Sequence, residues 1–331
     1  MLQELAAMRT MVTGGAGFIG STLVDRLLAE GHEVDVIDDL STGSLANLAE
    51  ARAVAGRSLT IHQLDVRLPE TSDLIARRRP KVIFHLAAQA DVRVSVMDPV
   101  LDADVNVIGS LRVLEGARAA ATERVVFAAS GGTLYGESDA GELPVRESQP
   151  HRPLSPYGVS KKSVIDYLVA YRELHALEFC ALALANVYGP RQDPHGEAGV
   201  VAIFADALVR GERVHIFGDG HQTRDYVYVD DVVDAFARAA TKGGGLVCNI
   251  GTGIETSVND LYHAIAAAAG TDADPVHAPA RNGEVLRSCL DPSRAQIHLG
   301  WRPWTLLSDG VAAVVETARR RYDATRGATL H

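Results

Sequence analysis

Residues 10–21 read TMVTGGAGFIGS, an apolar strand-like run that ends in spaced glycines and opens a helix-period segment. Gly14, Gly17 and Gly20 have the GxxGxxG spacing of a turn that cradles a dinucleotide between a strand and a helix. One glycine makes the tight turn, one lets a pyrophosphate approach the backbone, and one lets helix and strand pack closely. The helix that follows, expected from Ile19, turns its first N–H groups and its partial positive charge toward the same point, and Phe18 and Ile19 join the glycines as cofactor candidates. A plain strand-to-helix turn is the structural alternative, and the next strand argues against it. Val34 to Ile37 runs into Asp38, eighteen residues after Gly20, where a carboxylate accepts hydrogen bonds from the adenosine ribose hydroxyls. A negative charge there repels a 2′-phosphate, so the expected cofactor is NAD rather than NADP. Asp39 stands beside it as a second candidate, and either carboxylate otherwise serves as a turn former.

The alternation continues outward from this unit. Strand-like runs at Thr10 to Thr13, Glu33 to Ile37, Leu59 to Gln63, Val82 to Leu86, Arg124 to Ala128 and Phe179 to Ala183 are separated by helix-period segments such as Ile19 to Glu30 and Val105 to Ala121. Continuous apolar strands alternating with helices predict an α/β fold, a Rossmann-type doubly wound parallel sheet buried on both faces. Beyond Asn186 the pattern loosens into loops rich in glycine, proline and charge. The expected organisation is an NAD-binding domain over residues 1–184 and a smaller C-terminal α/β substrate-binding lobe over 185–331, with some segments interleaved. Asp65 and Val66 after the third strand, and Leu86, Ala87 and Ala88 after the fourth, face the same crevice at the carboxyl ends of the strands. Small side chains at 87 and 88 leave room for pyrophosphate and ribose, although they equally suit core packing. His85 reads as a satisfied histidine at a sheet end rather than as a catalyst.

Composition narrows the partners. With 331 residues, 47% hydrophobic and 22% charged, the chain has enough apolar content for a large core. A net charge of -10 offers no basic stripe for a phosphate backbone, so no nucleic acid is expected, while a local arginine pocket for one anionic ligand is compatible with it. The three cysteines, Cys180, Cys248 and Cys289, lack CxxC spacing and supply neither a disulfide framework nor a zinc site, which fits a cytoplasmic protein. The sequence has no signal-peptide pattern and no long apolar run, so no membrane partner is expected. Asp193, His195 and Glu197 fall on one irregular loop with nothing to fix a coordination geometry, and no metal is expected. Asp230 and Asp231 read as caps of a helix over Val232 to Ala240.

The chemistry-bearing pair is Tyr157 and Lys161, four residues apart in SPYGVSK at 155–161, where a helix should begin after Pro156 and both side chains share one face. A tyrosine acting as base starts from a value of about 10, and bringing it near 7 takes about 4 kcal/mol of phenolate stabilisation. An ammonium and a cationic nicotinamide supply that together.

Here the sequence resembles the extended short-chain dehydrogenase/reductase family, and within it the UDP-glucose 4-epimerase-like enzymes. The matching stretches are VTGGAGFIGS at 12–21, FHLAAQADVR at 84–93, DADVNVIGS at 102–110, ASGGTLYGE at 129–137, SPYGVSK at 155–161, ANVYGPRQ at 185–192, FGDGHQTRDYVYVDDV at 217–232, NIGTG at 249–253 and RNGE at 281–284. The resemblance implies that Tyr157 removes a proton from the sugar 4-hydroxyl while hydride leaves C4 for NAD. The 4-keto sugar then rotates and is reduced from its other face. Lys161 would hold the nicotinamide ribose and tune Tyr157, and Asn106 would lie near the cofactor. Family members carry a Ser or Thr four residues before the tyrosine of the YG pair; here that position is Gly131, so Thr133 is expected to take over its contact, with Ser130 as the other candidate. Either hydroxyl otherwise closes a strand-end turn.

By the same resemblance Asn186 contacts the sugar diphosphate and Arg224 and Arg281 grip its phosphates, a task suited to a planar, permanently charged fork. Val200 and the following apolar residues, with Val214 to Phe217, would wall the uracil. Surface salt bridges with Asp225 or Glu284 are the structural alternative for the two arginines. Arg191 is a candidate for the C6 carboxylate of UDP-glucuronate, or a scaffold arginine. The expected reaction is 4-epimerisation of a UDP-sugar, UDP-glucose/UDP-galactose first, in a homodimer that pairs helices near 100–121 and 157–173. The alternatives are a UDP-glucuronate 4-epimerase or decarboxylase, a dTDP-glucose 4,6-dehydratase, and a non-catalytic NAD-sensing protein. The dehydratase is disfavoured because its Asp-Glu pair corresponds here to Gly132 and Thr133. The sensor is disfavoured because Tyr157 and Lys161 are both intact.

Overall fold

Short apolar runs along the chain pair into one seven-stranded, wholly parallel sheet, as a computed structural model covering residues 7–137, 140–194, 199–280 and 285–328 describes. Its strands are β1 (Arg9–Thr13), β2 (Glu33–Asp38), β3 (Leu59–Gln63), β4 (Val82–His85), β5 (Arg124–Ser130), β6 (Glu178–Leu184) and β7 (Leu246–Ile250). They lie in the order β7-β6-β5-β4-β1-β2-β3, with Val12 of β1 in register with Val36 on one side and Phe84 on the other. After β1 the chain winds one way through β2 and β3, then returns to place β4 on the opposite side of β1. That reversal opens a crevice between β1 and β4 at the carboxyl ends of the strands.

Side chains alternate across the sheet because the strand period is two. Val12, Val36, Phe84, Val126 and Leu182 enter one core with Leu23 and Leu27 of α1 (Phe18–Ala29). Met11, Ile37, Ile83, Val125, Phe127 and Phe179 enter the other, with Ile75 of α2 (Pro69–Arg78), Val113 and Leu114 of α3 (Gly109–Ala120), and Val164 and Leu168 of α4 (Pro156–His175). Both faces are therefore covered, as continuous apolar strands require. A third core joins α5 (Val200–Val209), α7 (Val258–Ala269) and α8 (Leu307–Ala328) around Tyr188, Phe204 and Tyr262 in the smaller lobe.

Among the described residues the chain after 184 returns three times to the first core: α6 (Val229–Ala239) brings in Val232 and Phe236, β7 pairs with β6, and Ala295, Leu299 and Trp301 pack there in turn. One local expectation is refined and one corrected. The helix expected over 105–121 is present, but it continues from a short helix Pro99–Ala103 and opens with a wide π turn Asp104–Ile108 before α3. The widening accompanies diversion of the Asn106 carbonyl to the Ser110 hydroxyl, 2.5 Å away. Asp231 does not cap its own helix, which begins at Val229; its carboxylate accepts the N–H groups of Trp304 and Thr305 and the Thr305 hydroxyl.

Asp225 ties the sheet edge to the smaller lobe. It is 1% exposed, and its carboxylate accepts from the Thr252 N–H and hydroxyl, the Gly253 N–H and the Leu290 N–H, while its own carbonyl takes the Asn186 N–H. Removing it strands those donors in the interior. Asp225→Ala is expected to lower unfolding free energy by about 3 kcal/mol in urea titrations; a loss under about 0.5 kcal/mol, the range of a neutral surface change, would contradict this role.

Candidate active site

Because every strand points the same way, the loops leaving their carboxyl ends open on one edge of the sheet. At the β1/β4 crevice Gly14 adopts φ +70°, and a side chain there would press on the Ala87 backbone; one at Gly20 would overlap the Gly14 carbonyl. The glycine turn is thus forced by close approach of three backbones. Helix α1 starts from Gly17 without a side-chain cap, so Phe18, Ile19 and Gly20 aim their N–H groups into the crevice. At the end of β2 the buried Asp38 receives the Ala16 N–H on Oδ2 at 2.8 Å and the Leu40 N–H on Oδ1 at 2.9 Å. Burial pushes its carboxyl above the usual range, against the pull of those two N–H groups. Asp39 is exposed and folds back onto the Ser41 N–H and hydroxyl, so Asp38 is the carboxylate turned toward the glycine loop. Asp65 forms a bidentate pair with Arg67, and Val66 beside it is buried against Gly109.

A chain of hydrogen bonds runs beneath the crevice. The Ala87 N–H donates to Thr13 Oγ1, which lies 2.6 Å from His85 Nδ1; His85 Nε2 lies 2.8 Å from Ser110 Oγ, which donates to the Asn106 carbonyl. Since Ser110 gives its proton to Asn106, Nε2 is the donor toward Ser110 and Nδ1 accepts from Thr13, which assigns a neutral imidazole. Burial and then the Lys161 charge lower His85 to about 3. His85 thus sits as a satisfied histidine. Asn106 is buried beyond it, its amide spanning the Gln89 N–H and carbonyl. Sequence reading missed this layer of Thr13, Gln89, Asp102, Ser110 and Ser160, because its hydroxyls and amides meet only through tertiary contact.

On the other side of β4, Ser155 caps α4 by accepting the Gly158 N–H, with Pro156 in the first turn. Tyr157 is half-buried and Lys161 is 2% exposed, its Nζ 5.6 Å from the centre of the Tyr157 ring and 4.8 Å from that of Phe127. The loop after β5 makes one helical turn, Gly131–Leu134, whose Thr133 carbonyl lies against Gly158. A side chain at Gly131 would collide with Leu290 and stand 3.2 Å from the Ala183 carbonyl oxygen, so that position faces the interior. This explains the missing hydroxyl at 131. Thr133 is half-buried, with Oγ1 3.4 Å from the Ser130 carbonyl, and Ser130 ends β5. Tyr135 is committed elsewhere: buried, it donates to Asn249 Oδ1 at 2.7 Å, and burial holds its hydroxyl far above the ordinary tyrosine range.

Beyond β6, Asn186 presents an exposed side chain from the short strand Asn186–Tyr188. Arg224 lies half-buried on Thr223–Arg224; its expected rival partner Asp225 is turned inward to backbone donors. Val200 opens α5, and Arg281 falls outside the described residues, as do His195 and Glu197. Of the two readings open for Arg191, its contacts are those of a scaffold arginine. It takes a left-handed conformation (φ +69°) after Gly189 and ion-pairs with Asp25 of α1 at 2.7 Å, with Glu50 3.9 Å away. It lines a 540 Å³ cavity with Thr22, Asp25, Arg26, Tyr228 and Trp304, whose walls include none of Tyr157, Lys161 or Thr133. Among the described residues no cluster of His, Cys, Asp or Glu is arranged to hold a metal, and no helix is long and apolar enough to cross a membrane.

A glycine-turn crevice with an acidic β2 end, beside a Tyr-x-x-x-Lys helix, coincides with a match to the NAD dependent epimerase/dehydratase family model over residues 10–251. The chain belongs to that family. It is 51% identical to a UDP-glucose 4-epimerase of Mycolicibacterium smegmatis, over 95% of this chain and 99% of that protein. It is similar to the crystal structure of Thermotoga maritima UDP-glucose 4-epimerase with UDP-glucose, at 44% identity and TM-score 0.91, over 95% and 100% of the two chains. The Thermus thermophilus UDP-glucose 4-epimerase in complex with NAD follows at 42% identity and TM-score 0.87, over 94% and 99%.

Two measurements check this geometry. Gly131→Ser should destabilise the protein by about 1–3 kcal/mol, because Leu290 is fully buried and has nowhere to move. Pairing it with Leu290→Ala should cost less than the sum of the two single changes; strict additivity would count against the collision. His85 has a folded pKa below its unfolded value, so the unfolded chain binds the proton first and stability is lost as pH falls from about 6.5 toward 3. Its contribution to denaturation free energy should shrink by about 2 kcal/mol between pH 7 and pH 5. In His85→Gln that part of the slope should vanish, and an unchanged slope would contradict the assignment.

Proposed function

We propose that this protein interconverts UDP-glucose and UDP-galactose by NAD-dependent epimerisation at C4. The observation that carries the reading is the intact Tyr157–Lys161 pair on α4 beside a dinucleotide crevice, in a chain of this family. The crevice suits the cofactor on its own chemistry: close-packed glycines, uncapped N–H groups at α1 for a pyrophosphate, and a buried carboxylate at Asp38 for ribose hydroxyls. Gly14, Gly17, Phe18, Ile19 and Gly20 would hold the pyrophosphate. Asp38 would take the ribose, with Asp39 outside it, and Asp65 and Val66 would border the adenine end. Leu86, Ala87, Ala88 and Asn106 would line the nicotinamide end. NAD held there would supply the hydride acceptor and donor for sugar C4.

The chain's residues do the rest. Tyr157 removes the proton from the sugar 4-hydroxyl and gives it back on reduction. The buried Lys161 ammonium stabilises the phenolate form and holds the nicotinamide ribose. Thr133, on the turn that packs against α4, hydrogen-bonds the sugar 4-oxygen, with Ser130 the next hydroxyl in reach. Asn186 and Arg224, together with Arg281, hold the diphosphate, and Val200 borders the uracil. The engagement of Arg191 by Asp25 withdraws the cation on which a UDP-glucuronate reading rested, and so favours a sugar uncharged at C6. Exposed apolar side chains at Val96 and Met97 of helix Val92–Met97, at Val100, and at Val159, Tyr167 and Val169 of α4 support a homodimer built around α4 and the helical stretch that begins near residue 100. Three buried, unpaired cysteines fit a cytoplasmic enzyme.

Incubation with UDP-glucose and no added cofactor, followed by proton NMR, should yield UDP-galactose. Tyr157→Phe should lower kcat by about 10²–10⁴-fold while NAD stays bound. Turnover of UDP-glucuronate alone, or a fully active Tyr157→Phe protein, would overturn the reading.

A further inference from the structure

Asp102 is 0% exposed, a carboxylate enclosed where the Pro99–Ala103 turn meets the π turn and α4. Its Oδ2 accepts the Ser160 hydroxyl at 2.6 Å, and its Oδ1 accepts the side-chain amides of Asn106 at 2.9 Å and Gln89 at 3.2 Å. Burying a carboxylate costs several kcal/mol unless donors satisfy it, and a small apolar residue would pack such a place more cheaply. The three donors come from separate parts of the site. Ser160 directly precedes Lys161, Gln89 directly follows Ala87 and Ala88, and Asn106 lies on the π turn between them.

We propose that Asp102 is a positioning residue that sets the Tyr157–Lys161 helix against the cofactor-side loop; this rests on the epimerase reading above. A carboxylate only accepts, so it fixes the direction of every hydrogen bond it joins. By taking one hydrogen of the Asn106 amide it orients that group, whose Oδ1 then receives the Gln89 N–H and whose Nδ2 also reaches the Gln89 carbonyl. Gln89 is in turn locked to Asp91, accepting its N–H on Oε1 at 2.6 Å and donating to its carbonyl at 3.1 Å. The loop from Ala87 to Asp91 is thereby held as one piece. Through Ser160 the same carboxylate grips the second turn of α4, between Tyr157 and Lys161. A shift of α4 relative to the loop would move the base away from the carbon whose hydride is transferred, and misplacement of this kind lowers turnover more than substrate binding.

An asparagine can reproduce the set, with its Oδ1 accepting from Asn106 and Gln89 while its Nδ2 donates to a turned Ser160 hydroxyl; a leucine cannot. The test compares Ser160→Ala, Asp102→Asn and Asp102→Leu for kcat, KM for UDP-glucose, melting temperature, and NAD retained through gel filtration. Ser160→Ala, which deletes one hydroxyl, should lower kcat about tenfold with KM within about twofold, and should lower the melting temperature because a buried carboxylate oxygen loses its donor. Asp102→Leu should lower kcat about 100-fold and release NAD, whereas Asp102→Asn should keep kcat within about threefold and keep NAD. Wild-type kcat and NAD retention in Ser160→Ala and Asp102→Leu would overturn the proposal, and so would an Asp102→Asn protein as impaired as the leucine variant. If Asp102→Leu fails to fold, Ser160→Ala and Asp102→Asn decide. A wild-type protein inert toward UDP-glucose refutes the epimerase reading instead, and NAD retention in Asp102→Asn against Gln89→Ala then decides whether the carboxylate positions the loop.

Discussion

The contact on which the site depends is backbone against backbone: Gly14 on the Ala87 peptide, with Gly20 closing on Gly14. It exists because β1 and β4 are neighbours, although the chain between them builds β2 and β3 on the far side. No side chain larger than hydrogen fits at these turns, and the absence of side chains leaves N–H groups as the crevice lining. The parallel sheet then does the rest of the placement. Asp38, Asp65, Ala87, Thr133 and Asn186 all follow carboxyl ends of strands, so residues distant in sequence share one edge.

Beneath that edge lies a polar layer with complete donor and acceptor pairing. Thr13, His85, Ser110 and Asn106 form one line, and Gln89, Asp102 and Ser160 branch from it. Such a layer is costly to bury and fixes geometry when every member is satisfied. Its histidine is held neutral next to the buried Lys161 ammonium, so the positive charge near Tyr157 belongs to the lysine alone among this pair. Rigidity under the reacting groups and openness above them suit a reaction in which a keto sugar must turn over while the base and the cofactor stay still.

Much of the fold was legible because buried parallel strands are apolar throughout: six of the seven strands stand within two residues of the runs at 10–13, 33–37, 59–63, 82–86, 124–128 and 179–183. The seventh, Leu246–Ile250, was hidden by the loop-rich sequence that precedes it and by its distance along the chain from β6, with which it pairs. The site was legible where local spacing carries the chemistry, as in the glycine turn and the i, i+4 pair on α4. It was not legible where backbone conformation decides direction. The motif around Arg191 leaves a substrate contact and a scaffold role equally open, and it is the left-handed φ that turns the side chain to Asp25. Gly131 reads as a lost hydroxyl, whereas its neighbour Leu290, far along the chain, leaves no space for one. Asp231 reads as a local cap and instead bonds the loop at Trp304 and Thr305.

The central claim is that one crevice holds both the dinucleotide and the Tyr157–Lys161 pair, so that hydride leaves and returns to the same sugar carbon. Turnover of UDP-glucose carrying deuterium at C4, in ordinary water, tests this most directly by mass spectrometry and NMR of the product. The account predicts UDP-galactose with its deuterium still at C4. Loss of that deuterium to water would show that the C4 hydrogen leaves as a proton, and would contradict it.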